Sequence, residues 1–145
     1  MSRVTGKVSV WVNIVPFSQI PKSYGEERYG DDGPLSDWCA AFGFDYYDHD
    51  FMDVNISEEH RRPIRRLAGE CSFSASFIDP LESAAIEQGF DTAQQVILLY
   101  DFDYTNLNTG ITEDKYYRFI GTFDYDDDAD SVYDAYGPGG SMASE

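Results

Sequence analysis

From Lys7 the chain reads "KVSVWVNIV", and this alternation limits the possible fold more than any other stretch. Val8, Val10, Val12 and Ile14 fall on one side of an extended chain, and Ser9, Trp11 and Asn13 on the other. That is the period of a β-strand, not of a helix. A strand needs partners, and two later runs can supply them. "QQVILLYDFDY" and "KYYRFIGTFDY" are apolar and rich in β-branched and aromatic residues. The polar "TNLNTGITED" between them predicts a hairpin with a long loop.

Helical signals occupy the middle of the chain. "LSDWCAAFG" places Trp38, Cys39 and Phe42 on one side of a short helix, with Gly43 where it should stop. "SEEHRRPIRRLAGE" carries Pro63, which either begins a helix or bends one. "DPLESAAIEQGF" predicts a helix capped by Asp79, with Pro80 in its first position, Glu82 completing a capping box and Gly89 ending it. The stretch from Pro16 to Pro34 is punctuated by Pro21, Gly25, Gly30 and Gly33, and predicts a long connection with at most a short helix around residues 20–29. The predicted fold is α+β: one domain over residues 1–136, a mostly antiparallel sheet with helices packed on one face. "GPGGSMASE", residues 137–145, has almost nothing to bury and is expected to be a flexible tail.

Charge then narrows the partners. Twenty-seven acids against ten bases leave −17 on 145 residues. Nucleic acid and anionic membranes would be repelled, and a basic protein is the natural complement. The chain is nonetheless 16% aromatic, unlike acidic disordered chains. The first residues lack the features of an export signal, so a cytoplasmic location is expected. Free thiols at Cys39 and Cys71 follow from that, and the sequon at Asn55 has no role.

Two acidic, tyrosine-bearing segments are the candidate sites. Residues 26–59 hold eleven acids and one base, and residues 91–145 hold twelve acids and two bases. Within them, Asp45, Tyr46, Tyr47, Asp48, Asp50 and Asp53, and later Asp126, Asp127 and Asp128, are the residues expected to meet a partner. Tyrosine offers a large rigid surface with a polar tip, and aspartate a charge for Arg or Lys. The plainer reading makes the aromatics core and the aspartates its wet edge.

A metal-dependent enzyme or metal-binding protein using the aspartate runs is an alternative, as is a general interaction domain. The run from Asp124 places acids at positions one, three, five and seven of a calcium loop, but Ala129 replaces the glycine and Ala135 the bidentate glutamate. No P-loop, nucleophile elbow or Cys/His cluster is present. No cofactor or catalysis is expected. "RRPIRR" reads as a solvated helix face paired with Glu58 and Glu59.

Taken in order, "VSVWV", "FGFDYYDHDF", "SFSASFI", "VILLYDFDY" and "FIGTFDY" resemble the immunity protein 22 family of bacterial polymorphic toxin systems. The resemblance implies a small cytoplasmic α+β protein that binds and neutralises a cognate toxin domain without catalysis. A basic toxin, with a nuclease as the expected class, matches the acidic charge. The prolines and glycines between Ile14 and Leu35 depart from the more helical stretch expected of that family.

Overall fold

A computed structural model describes residues 5–30 and 33–133. Strands β1 (Lys7–Asn13), β2 (Met52–Ile56), β5 (Gln95–Tyr100) and β6 (Tyr117–Asp124) form one antiparallel sheet in the order β2-β5-β1-β6. Two-residue strands β3 (Arg62–Pro63) and β4 (Thr92–Ala93) pair separately. Helices α1 (Asp37–Ala41), α2 (Ile64–Gly69) and α3 (Ile78–Gln88) complete an α+β domain. The proposed tail, residues 137–145, lies outside the described residues.

The first strand is in the middle of the sheet, paired with β5 on one side and β6 on the other. This corrects the expected hairpin: β5 and β6 do not pair, because β1 lies between them, and only side chains reach across, as from Tyr117 Oη to Gln95 at 2.6 Å. The reason is burial. Six of the seven residues of β1 are buried, which only a central strand covered on both faces allows. One face of the sheet presents Val8, Val10, Val12, Val96, Leu98 and Ile120 to α2 and α3, which bring Ile64, Leu67, Leu81 and Ala85. The two longer helices thus share one face, as expected.

The other face is aromatic. Trp11, Ile97, Leu99, Tyr117 and Phe119 pack against Trp38 and Phe42 of the α1 segment and against Phe44, Tyr47 and Tyr104. Trp11 is fully buried, with Trp38 edge-on at 4.9 Å and Phe119 at 5.1 Å between ring centroids. A register shift against β6 between Val10 and Trp11 lets Phe119 join the aromatic face while Ile120 faces the helices.

The polar positions of β1 are buried too, and hydrogen bonds satisfy them. The Asn13 side-chain oxygen accepts from the backbone N–H groups of Gln94 and Gln95, both at 2.9 Å, and its amide donates to the Val15 carbonyl at 2.8 Å. Ser9 Oγ donates to the Phe102 carbonyl and accepts from the Tyr104 N–H. The first strand therefore fixes both ends of β5 as well as its pairing.

Two helix starts differ from expectation. Pro63 stands immediately before α2, so that helix begins at the proline and is not bent by it. In α3 the residue before the helix is Phe77, buried and without a side-chain cap, and Asp79 lies inside the first turn. Asp79 and Glu82 turn outward to Arg65 of α2 instead of capping. Burial of Phe77 and Ile78 outweighs the capping bond, which contributes only about 1 kcal/mol. Gly89 ends α3 at φ +86° as expected.

Candidate partner-binding surface

The segment from Phe42 to Ile56 is built outward from α1. Ser36 caps that helix by accepting from the Cys39 N–H at 3.2 Å. Phe42 ends it, and Gly43 follows at φ +85°, a left-handed conformation in which a side chain would be strained. A Cβ at Gly43 would also meet Thr109 at 3.1 Å. From there Phe44 and Tyr47 turn into the aromatic core and leave Asp45 and Tyr46 outside. Tyr46 is 55% exposed and Tyr47 3%. Of the two adjacent tyrosines expected at a partner surface, only Tyr46 is free to be there. Tyr47 instead donates to Ser36 Oγ at 3.3 Å.

The aspartates divide in the same way. Asp48 accepts from the Asp50 N–H at 3.0 Å and so holds the tight turn His49–Phe51 that leads into β2. Asp53, half-buried, accepts from the Ser72 N–H at 3.0 Å. Asp45 and Asp50 face solvent. One stretch thus combines anchoring aromatics, bracing carboxylates and exposed charge.

The fold adds residues that the sequence did not single out. Glu27, from the connection before α1, accepts from Tyr29 Oη at 2.8 Å and contacts His49 Nδ1 at 2.9 Å. Tyr29 is 63% exposed. Burial alone would raise the Glu27 carboxyl, but hydrogen bonds from His49 and Tyr29 bring it below its ordinary value. The Glu27 hydrogen bond raises His49 and pushes the Tyr29 phenol up to about 12. Residues 17–19 and 22–25 form two short 3-10 turns, so no longer helix covers this patch. The only sequence signal for Tyr29 was its place in the acidic, tyrosine-bearing stretch.

The second acidic segment follows β6. Asp124 pairs with Lys7 at 2.5 Å, and the Asp126 N–H donates to Ser76 Oγ at 2.9 Å. Asp126 in turn accepts from the Asp128 N–H at 2.9 Å. Asp126, Asp127 and Asp128 are all exposed, with carboxylate oxygens within 4.8 Å of one another. A surface turn rich in aspartate has this geometry without any ion, and one Asp126 oxygen is already used by the turn itself.

Strand register decides how the two segments relate. Met52 of β2 lies beside Leu99, Leu99 beside Ser9, and Ser9 beside Thr122 of β6. The start of β2 and the end of β6 are therefore at the same end of the sheet. Three strand spacings separate them, roughly 14 Å. Asp50 and Asp53 at one corner and Asp124 to Asp128 at the other make a negative rim, with Asp103 on the loop leaving β5 between them.

The basic cluster is spent within the fold, not on Glu58 and Glu59 as expected. Arg65 bridges to Asp79 and Glu82, Arg66 pairs with Glu70 at 3.4 Å, Arg62 donates to Ser57 Oγ and Arg61 to Thr92. Only Arg65 and Arg66 lie in α2, because Pro63 delays its start. Cys39 and Cys71 are free and buried, and burial pushes the Cys71 thiol well up, which makes it inert. Among the described residues no helix is long and apolar enough to cross a membrane.

No curated protein and no solved structure matches the chain. A model of the family described as Immunity protein 22 matches residues 8–126, from the second residue of β1 to just beyond β6, and the chain belongs to that family.

Proposed function

We propose that this chain is a cytoplasmic immunity protein that neutralises a basic toxin domain, a nuclease being the expected class, by binding it stoichiometrically and without catalysis. The observation that carries this reading is the negative rim. Acids separated by some seventy positions in sequence meet at one end of the sheet, beside the exposed Tyr46 and Tyr29. Many of the carboxylates are not consumed by ion pairs, so their field is available to a cation-rich surface. The aromatic face behind them holds the rim rigid, which lowers the ordering cost on association.

Family membership supports the toxin-neutralising role. The basic character of the toxin is supported by the charge, and the absence of catalysis by the failed catalytic and calcium motifs. The test uses a cognate toxin domain, carried as an inactive variant. Mixing should give a one-to-one complex in calorimetry, and co-expression with the active toxin should restore growth. A chain that neither binds nor protects would overturn the proposal. Titration with calcium, magnesium or manganese should show no saturable site tighter than about millimolar, the weak end of known calcium sites.

A further inference from the structure

The outer edge of β2 is an open half of a β-ladder that begins where the negative rim ends. β2 is the edge strand of the sheet, and its register with β5 runs without a shift from Met52 to Ile56. The Ser57 N–H donates inward to the Gln94 carbonyl at 2.7 Å. Backbone groups alternate along an antiparallel strand, so the Asp53 and Asn55 N–H groups point inward as well. Those of Met52, Val54 and Ile56 point outward. Met52 N–H is taken by the His49 carbonyl, and Ile56 N–H by the Asn55 side chain at 3.0 Å. That leaves the Val54 N–H outward with no partner among the described residues, beside the outward carbonyls of Met52, Val54 and Ile56.

Asp53 is the one charged side chain on this edge strand, and the other usual guards within the strand are missing. "MDVNI" contains no proline and no lysine, and no bulge interrupts it. Val54 and Ile56 are each 39% exposed on the aromatic side of the sheet. On the opposite side, Asp53 and Asn55 are braced by Ser72 and by the Leu67 carbonyl. The opposite edge of the sheet is treated differently. The first half of β6 is covered by residues 112–114, through Phe119 N–H to the Thr112 carbonyl at 2.7 Å and Asp114 N–H to the Tyr117 carbonyl at 3.0 Å.

We infer that an extended, basic segment of the toxin domain adds to β2 as a fifth strand. This rests on the reading of the chain as an immunity protein. Main-chain bonds to Val54 would provide affinity, and side chains of alternate residues would provide specificity. One set would lie over Val54 and Ile56. The other would pass Asp53 and then reach a groove of about 450 Å³ beside α2, whose charged lining is Glu58, Glu59 and Glu70 together with Arg62 and Arg66. Charge selects the occupant. The strand leaves the rim at Asp50, and a second copy of a chain carrying −17 would bring like charge against like. A basic strand meets Asp50, Asp53, Glu58 and Glu59 along the same path, where Arg66 is already paired with Glu70 and Arg62 donates to Ser57.

Val54→Pro tests this, because proline removes the outward N–H and leaves every inward ladder bond in place. Val54→Thr keeps the N–H and the β-branched shape. With an inactive cognate toxin domain, Val54→Pro should weaken binding at least about tenfold, the worth of one lost main-chain bond and its geometry. Val54→Thr should stay within about threefold on the same scale. Independently of any variant, amide exchange at Val54 in the native chain should slow at least tenfold in the complex. A complex in which Val54 exchanges at its free rate, or which Val54→Pro forms as tightly as the native chain, overturns the added strand and leaves the immunity role standing. A free chain that is a dimer and becomes monomeric with Val54→Pro overturns it as well. Failure of the native chain to bind at all overturns the immunity role and the added strand together.

Discussion

At Asn13 a single side chain serves three backbone groups, two N–H donors and one carbonyl, in a fully buried setting. Asn13→Ala leaves two buried donors unpaired, and each such group costs about 1–3 kcal/mol. Urea denaturation should show a loss of at least about 2 kcal/mol, and a loss below about 0.5 kcal/mol would mean that water replaces the amide. His49 and Glu27 offer a pH test. The His49 pKa is raised in the fold, so its contribution is present below 6.5 and fades as pH rises through the folded value. The Glu27 pKa is lowered, so its contribution is present above 4.5 and fades as pH falls. The pair therefore stabilises most between those two values. His49 is largely exposed, and solvent screening limits the effect to about 0.5 kcal/mol. His49→Gln should lower stability by that amount at pH 5.5 and not at pH 8.5; equal losses at both would contradict the pairing.

At the scale of elements, the central position of β1 makes it the slowest part of the chain to open. Native-state amide exchange should find Val10 and Val12 exchanging only through global unfolding, and β2 exchanging earlier from its single-sided ladder. Val54 exchanging as slowly as Val10 would contradict the sheet order. Much of this level was legible beforehand. Alternation from Val8 to Ile14 marks β1 correctly, and Gly43 and Gly89 mark where helices stop. Pairing was not legible, because the runs that became β5 and β6 are equally suited to each other and to β1. What decides is that Trp11 needs a covered second face, and the aromatics covering it come from residues 38–47, a long-range fact absent from any local pattern. The cap at Asp79 was misplaced for a similar reason: burial of Phe77 and a bridge to Arg65 outweigh a local bond. In the candidate site, the exposed acids and Tyr46 were legible as composition. The inward turn of Tyr47 and the arrival of Glu27 and Tyr29 were not, since each depends on packing between segments far apart in sequence.

Across the whole molecule, a rigid aromatic face and a helical face hold one sheet, and the end of that sheet gathers the charge. The rim at Asp48 to Asp53 and the turn at Asp126 to Asp128 should act as one field at low salt, where the Debye length of about 30 Å at 0.01 M exceeds the roughly 14 Å between their strands, and should act separately as salt rises. Stopped-flow association with an inactive cognate toxin domain, followed over a range of salt, tests this most directly. Asp48→Asn with Asp50→Asn should slow association about three- to tenfold at low salt and flatten its salt dependence. Asparagine also accepts from the Asp50 N–H, so the turn at Asp48 and the thermal stability should be retained. Adding Asp126→Asn and Asp128→Asn should slow association further. Unchanged rates and an unchanged salt slope in the four-site variant would contradict the account, and would return these aspartates to the role of a solvated edge around an aromatic core.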